Sequence, residues 1–203
     1  MLFLAFLLFL YIIWLNGEDI SYDAFVASLF TVTSFATTTG FTVLDHTNFP
    51  AFLPQLLIFI GMIGACAGST AGGFKAIRAL VLLSHARREL KKLIHPNLVL
   101  PLKIGKKKIN GEVADSVWGF LTVYLLTFLV GSFFLMGQGI DTETAFSAIA
   151  ASLNNLGPGL GEVAYNYSEM SSLTKVVLAF VMILGRLEIY TLLVLFTAFF
   201  WKE

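Results

Sequence analysis

The chain has 203 residues, 57% of them hydrophobic and 20 of them Phe, with 13 basic and 13 acidic residues that cancel to zero net charge. A mean hydropathy of +0.83 and an apolar content above the roughly 45–50% of soluble domains exclude a freely soluble globular protein. Charge is segregated, and long uncharged runs meet the roughly 18-residue criterion for a spanning helix, so an integral membrane protein is expected. The single cysteine, Cys66, excludes an internal disulfide.

In chain order, Met1 to Leu15 is entirely apolar, with no basic residue before it and no small-residue cleavage site after it, unlike a signal peptide. The segment Met1–Asn16 reads as the end of a transmembrane helix, which suggests a piece of a longer protein. Tyr22 to Ala36 is helix-sized but too short to span, and Phe52 to about Ala79 is a returning span. A basic linker follows, then an apolar run from Val113 to Met136, a second short segment from Thr142 to Leu153, and a final span from Leu173 to Trp201. Each half therefore predicts helix, re-entrant loop, helix, in an all-α membrane protein divided as residues 1–79, 80–112 and 113–203.

Charge orients these segments. Nine of the 13 Lys and Arg residues lie between Arg78 and Lys108, which places this linker in the cytoplasm by the positive-inside rule. The stretches Gly17–Pro54 and Gly137–Ser172 contain no Lys or Arg but hold eight carboxylates, and they face outward. The linker, with Pro96 and Pro101, reads either as a solvated connection beside lipid headgroups or as a docking surface for a cytosolic subunit. Because topology explains its basic charge, no nucleic-acid partner is expected. His85 and His95 lie too far apart for a helical metal pair, and no carboxylate cluster joins them.

Each short segment ends in a polar, glycine-centred stretch: Thr37-Thr38-Thr39-Gly40-Phe41 and Asn154-Asn155-Leu156-Gly157-Pro158. Irregular polar backbone at membrane depth survives only where it is buried in protein or lines a water-filled path. A cation stripped of water needs oxygen ligands, and rings of backbone carbonyls supply them. Gly40 and Gly157 permit positive φ at little steric cost. Thr37, Thr38 and Thr39 add hydroxyl oxygens, and Asn154 and Asn155 add amide oxygens. The negative C-terminal ends of the short helices would point at the cation. A single Thr-Thr-Thr-Gly is weak evidence, and Gly157-Pro158-Gly159 fits an ordinary turn; the repetition on one side carries the reading.

The runs Ser34 to Phe41, Gly64 to Lys75, Leu153 to Gly159 and Gly185 to Glu188 resemble, in order, four motifs of the Trk-type potassium uptake family. The resemblance covers about Met1 to Glu203. It implies a pore of four helix, pore-loop, helix repeats, of which this chain is similar to the third and fourth. It also implies potassium as the transported ion, held at Thr38, Thr39, Gly40, Asn155, Leu156 and Gly157, with no cofactor and no enzymatic step. A homodimer, the remaining pore repeats, the lipid bilayer and a cytosolic nucleotide-binding regulatory subunit are the partners it implies, in a bacterial inner membrane.

Below the filter, Gly64, Gly68 and Gly72 share the spacing of a small-residue helix-packing face. The same glycines weaken a helix by about 1 kcal/mol each relative to Ala, so a local break is also expected there. The resemblance implies an intramembrane gate at Gly64, Gly68, Ser69, Thr70, Gly72 and Gly73. It further implies that Arg186, midway along the last apolar run, projects into the pore as a barrier to cations. Glu188 is too close in sequence to share a helix face with Arg186, and Lys75 and Arg78 are expected to snorkel to the inner membrane edge. A phosphate-binding loop over Gly68 to Lys75 fails, because Phe74 separates Gly73 from Lys75. The alternative to a conducting subunit is a non-conducting module that needs a missing half, or a second copy, to complete the pore.

Overall fold

The computed structural model describes residues 7, 10, 11, 22–43, 52–64, 68, 72–96, 100–105, 107–195 and 197–201. The span expected over Met1–Asn16 lies mostly outside them; Tyr11 is described, its ring edge-on to Phe52 at 5.7 Å. Helix α1 covers Tyr22–Ala36, α2 Phe52–Gly64, α3 Ala76–Ile94, α4 Gly111–Gly137, α5 Thr142–Leu153, α6 Ser172–Arg186, α7 Tyr190–Leu195 and α8 Ala198–Trp201. A short antiparallel hairpin, β1 (Leu102–Ile104) with β2 (Lys107–Ile109), joins α3 to α4, Leu102 pairing with Ile109. Both short helices thus occupy the segments expected from the sequence.

Three differences have physical causes. The span expected from Phe52 to about Ala79 is interrupted after Gly64, and Gly68, Gly73 and Lys75 all have positive φ, at 82°, 84° and 60°. The helix that resumes, α3, then passes uninterrupted through the expected boundary at residues 79 and 80, so the first part of the basic linker is regular helix rather than loose connection. The span expected from Leu173 to Trp201 is also broken. Glu188 and Ile189 turn left-handed, at φ 56° and 23°, and α6 ends at Arg186. Among the described residues α4, at 27 residues, is the one helix long and apolar enough to cross a membrane.

Capping fixes where α5 and α6 start. The Asp141 carboxylate accepts from the Glu143 amide at 3.1 Å, and the Ser171 hydroxyl accepts from the Thr174 amide at 3.1 Å. Such caps satisfy amides that a helix start leaves without partners, each contributing about 1 kcal/mol. Helix α5 is the hub of the fold: Thr144, Ala145 and every residue from Ser147 to Leu153 are buried. It packs between α4 and α6, and its far face meets α1 and α2 through a core of Val32, Phe35, Leu53, Leu57, Ala150, Ala151, Leu156 and Leu160. This core joins the first half of the chain to the second directly beside both glycine-centred stretches.

Candidate ion-conduction site

The two glycine-centred stretches have the same backbone. After α1, the Thr38 amide donates to the Phe35 carbonyl at 3.1 Å and the Thr39 amide to Ser34 at 2.9 Å. After α5, the Asn155 amide donates to Ser152 at 3.1 Å and the Leu156 amide to Ala151 at 2.8 Å. Each is a Schellman ending, in which a left-handed residue past the helix closes two bonds back onto the last turn. The left-handed residues are Thr38 (φ 55°) and Asn155 (φ 53°), and two positions later Gly40 (φ 82°) and Gly157 (φ 103°) are left-handed again. One constant offset in sequence relates both pairs. Left-handed residues at alternate positions turn the chain out of the helix without letting it become a strand, which frees the carbonyls between them from helical bonding.

Sequence reasoning anticipated the glycines but not Thr38 and Asn155. Asparagine visits the left-handed region readily, whereas a β-branched threonine there is an outlier costing on the order of 1–3 kcal/mol. The Thr37 hydroxyl offsets part of this, donating to the Thr33 carbonyl at 2.7 Å and lying 2.8 Å from the Thr39 hydroxyl.

The fold brings the stretches into contact. A Cβ placed on Gly40 would overlap the Leu156 carbonyl oxygen, with the Leu156 carbon at 3.2 Å and Pro158 Cδ at 3.3 Å. Gly61 and Gly64 of α2 let that helix lie against the end of α1, where a Cβ at Gly64 would overlap the Ala36 carbonyl. Neither α1 nor α5 has a basic residue in its last turn, so the negative ends of both dipoles are left uncompensated at the stretches. Phe41 is 67% exposed.

Asn154 does not offer its amide oxygen to the site. It is 1% exposed, its Oδ1 accepts from the Tyr124 hydroxyl at 3.0 Å, and its Nδ2 donates to Ala150 at 2.6 Å. Gly72 and Gly73 close over it, a Cβ on Gly72 falling 2.7 Å from the Asn154 carbonyl oxygen. Asn155 Nδ2 donates to the Met182 carbonyl of α6 at 3.2 Å. Asn154 therefore braces the stretch from behind and, against the expectation, its amide oxygen is taken by Tyr124, while the bond of Asn155 to Met182 engages only its amide nitrogen.

The Tyr167 hydroxyl donates to the Gly157 carbonyl at 3.0 Å, a partner the sequence did not reveal. Burial pushes its phenol up to about 12, so it stays protonated and donating through physiological pH. Tyr167→Phe removes one neutral hydrogen bond, typically about 0.5–1.5 kcal/mol. The expected result is near-normal yield with thermal unfolding in detergent lowered by a few degrees, about 2–4 °C per kcal/mol for a chain of this size.

Arg186 is exposed, and no ion pair reaches it among the described residues. Glu188 accepts instead from Lys75 on one carboxylate oxygen and from Arg78 Nη2 at 2.7 Å on the other. Lys75 is 8% exposed, and the Arg78 guanidinium lies 4.0 Å from the Phe120 ring centre. Neither cation snorkels free. A largely buried charge is costly unless it is paired, and Glu188 supplies that pairing to both. Of the expected gate, Gly64, Gly68, Gly72 and Gly73 are described, while Ser69 and Thr70 lie outside the described residues. A Cβ on Gly68 would meet nothing within 4 Å.

The profile of the family described as "TrkH: Cation transport protein" matches residues 3–203. The chain is 50% identical over 182 residues to the Trk system potassium uptake protein TrkH of Vibrio parahaemolyticus, covering 90% of this chain and 38% of that protein. It is 47% identical over 176 residues to TrkH of Escherichia coli K12, covering 87% of this chain and 36% of that protein. The crystal structure of the potassium transporter TrkH from Vibrio parahaemolyticus matches it with a TM-score of 0.86 at 47% identity, covering 98% of this chain and 44% of that one. The chain thus spans less than half the length of these relatives, and its fold is the potassium-channel-like pore-loop fold of the matched transporter. With a family profile along nearly its whole length and a pore-loop backbone repeated twice, this chain belongs to the TrkH family of cation transport proteins.

Proposed function

We propose that this chain lines part of a potassium pathway through a membrane, with backbone carbonyls of Thr38, Thr39, Gly40, Asn155, Leu156 and Gly157 taking the place of the ion's water. The observation that carries the reading is the repeated backbone, left-handed at Thr38 and Gly40 and again at Asn155 and Gly157, with the two stretches held together at Gly40 and Leu156. It is supported by relatives named as potassium uptake proteins. Selection resides in carbonyl geometry and field strength. Residues outside the chain, or a second copy, complete the ring of ligands.

The segment from Gly64 to Gly73 is the gate and Arg186 the electrostatic barrier beneath the filter. The basic residues from Arg78 to Lys108 face the cytoplasm, where a nucleotide-binding regulatory subunit docks, and the filter stretches face outward in a bacterial inner membrane. No enzymatic step and no cofactor are needed, because the chemistry is ligand exchange on the ion.

The test is growth at low potassium of cells that lack their own uptake systems and express the intact protein bearing these residues. Rescue is expected for the parent and lost in Gly40→Asp and Gly157→Asp. Full rescue by the double variant overturns the filter assignment. Arg186→Ala removes a positive charge from the pathway and is expected to raise ion leak several-fold in reconstituted vesicles. Unchanged leak removes Arg186 from the barrier.

A further inference from the structure

The basic linker folds into a cleft. Helix α3 presents Ser84, Arg87, Arg88 and Lys91 along one face, since positions three, four and seven apart lie side by side on a helix. Pro101 and Lys103 of the hairpin form the opposite wall. Buried Leu102 belongs to the same core as Val81 of α3, which holds the hairpin against the helix. The space between them is about 230 Å³, below the roughly 300–1,000 Å³ of a site for a drug-sized ligand. That size suits a phosphoryl headgroup better than a whole nucleotide.

The cleft carries more positive charge than neighbouring acids balance. Arg88 is paired with Glu89 at 3.1 Å, and Glu89 is shared with Lys92 at 3.2 Å and His85 at 3.9 Å. Among the described residues Arg87, Lys91 and Lys103 have no carboxylate or hydrogen-bond partner. The sequence supplies none nearby, for no Asp or Glu occurs between Glu89 and Glu112. Within the hairpin, Lys103 lies directly opposite Lys108. Like charges at facing positions destabilise a strand pair, and an anion beside them relieves that repulsion.

Next to the cleft the same helix is apolar. Leu80, Leu83, Leu90 and Ile94 follow one another at helical spacing and are exposed, and Arg87 lies on the border between this stripe and the cleft. A helix with leucines on one face and cations on the next is the form that lies along a membrane surface. A soluble phosphate would meet the cations and leave the leucines in water. An anionic phospholipid satisfies both, with its phosphodiester in the cleft and its acyl chains along the stripe.

We propose that the cleft between α3 and β1 binds the headgroup of an anionic phospholipid, with Arg87, Lys91 and Lys103 as its phosphate ligands. The Arg87 guanidinium offers paired N–H donors to two phosphoryl oxygens, while the two lysines act as point charges from the helix and the hairpin. The bound lipid supplies the counter-charge for Lys103 and Lys108 and fastens the hairpin to α3.

The test is native mass spectrometry of the intact protein bearing these residues, released from detergent with graded amounts of dioleoyl phosphatidylglycerol or, as the neutral comparison, dioleoyl phosphatidylcholine. The parent is expected to hold phosphatidylglycerol about tenfold or more tighter, the work of several cations at a membrane surface. Arg87→Gln, Lys91→Gln and Lys103→Gln should each weaken that lipid about fivefold, the effect of one such cation. All three side chains are exposed, so yield should not change. Lys92→Gln removes the same charge one residue along α3, from a lysine already held by Glu89, and should leave retention as in the parent. Equal losses in Lys91→Gln and Lys92→Gln would mean diffuse attraction and overturn the site. Glycerophosphoglycerol, the same headgroup without acyl chains, should compete only at about 100-fold higher concentration or more, because it buries no apolar surface on the stripe. Competition at equal concentration makes this a soluble-phosphate site and overturns the lipid. Unchanged retention in the triple variant leaves these cations to another partner, such as a cytosolic subunit, and overturns the inference.

Discussion

Replacing Gly40 by alanine is expected to lower potassium transport per molecule by about 100-fold or more, close to 3 kcal/mol of lost ion stabilisation, while the protein still reaches the membrane. Two causes act together. Gly40 is left-handed at φ 82°, where a side chain costs about 1–2 kcal/mol. The added methyl would also occupy the position of the Leu156 carbonyl oxygen, with Pro158 Cδ only 3.3 Å away. Backbone cannot rotate out of the way as a side chain can, so the second stretch must shift. Gly157 provides the contrast. Its φ of 103° disfavours alanine, but an added Cβ there meets nothing within 4 Å. Gly157→Ala should therefore cost only the conformational strain, about tenfold in transport. Tracer uptake normalised to the amount of protein separates the two variants, and equal losses would show that crowding at Leu156 is not the cause.

Gly185→Ala is expected to have the largest effect on folding. A Cβ at Gly185 would overlap the Leu153 carbonyl oxygen, with the Leu153 carbon at 2.7 Å and Asn155 Nδ2 at 3.1 Å. Helix α6 must then move off the end of α5, which also strains the bond from Asn155 to the Met182 carbonyl. Overpacking costs about 1–3 kcal/mol where side chains can adjust, and a backbone collision belongs at or above the top of that range. Thermal unfolding in detergent should show a clear drop for Gly185→Ala and little change for Gly137→Ala, whose Cβ would meet nothing within 4 Å. Comparable stability of the two would contradict close packing of α6 on α5.

How much of this was legible depends on which force sets each feature. The two short helices follow from length, polarity and the glycines beyond them, and Tyr22–Ala36 and Thr142–Leu153 emerge with the expected ends. The break after Gly64 was foreshadowed by helix-weakening glycines. The break after Arg186 was not, because Leu187, Glu188 and Ile189 carry no local breaking signal; a tertiary ion pair with Lys75 and Arg78 holds Glu188 where it turns. Asn154 was read as a ligand because its amide has an oxygen to give. Only the fold shows that Tyr124, distant in sequence, already claims that oxygen. Thr38 is the sharpest case. Its left-handed backbone contradicts its β-branched preference and is imposed by the helix ending it closes.

The central claim is that the carbonyls around Gly40 and Gly157 hold the transported ion. An anomalous diffraction map of crystals of the intact protein grown with rubidium in place of potassium tests it most directly. A peak within coordination distance of the Thr38 to Gly40 and Asn155 to Gly157 carbonyls, absent from Gly40→Ala crystals, is the predicted result. Rubidium density elsewhere along the pathway, with none at these two stretches, would contradict it.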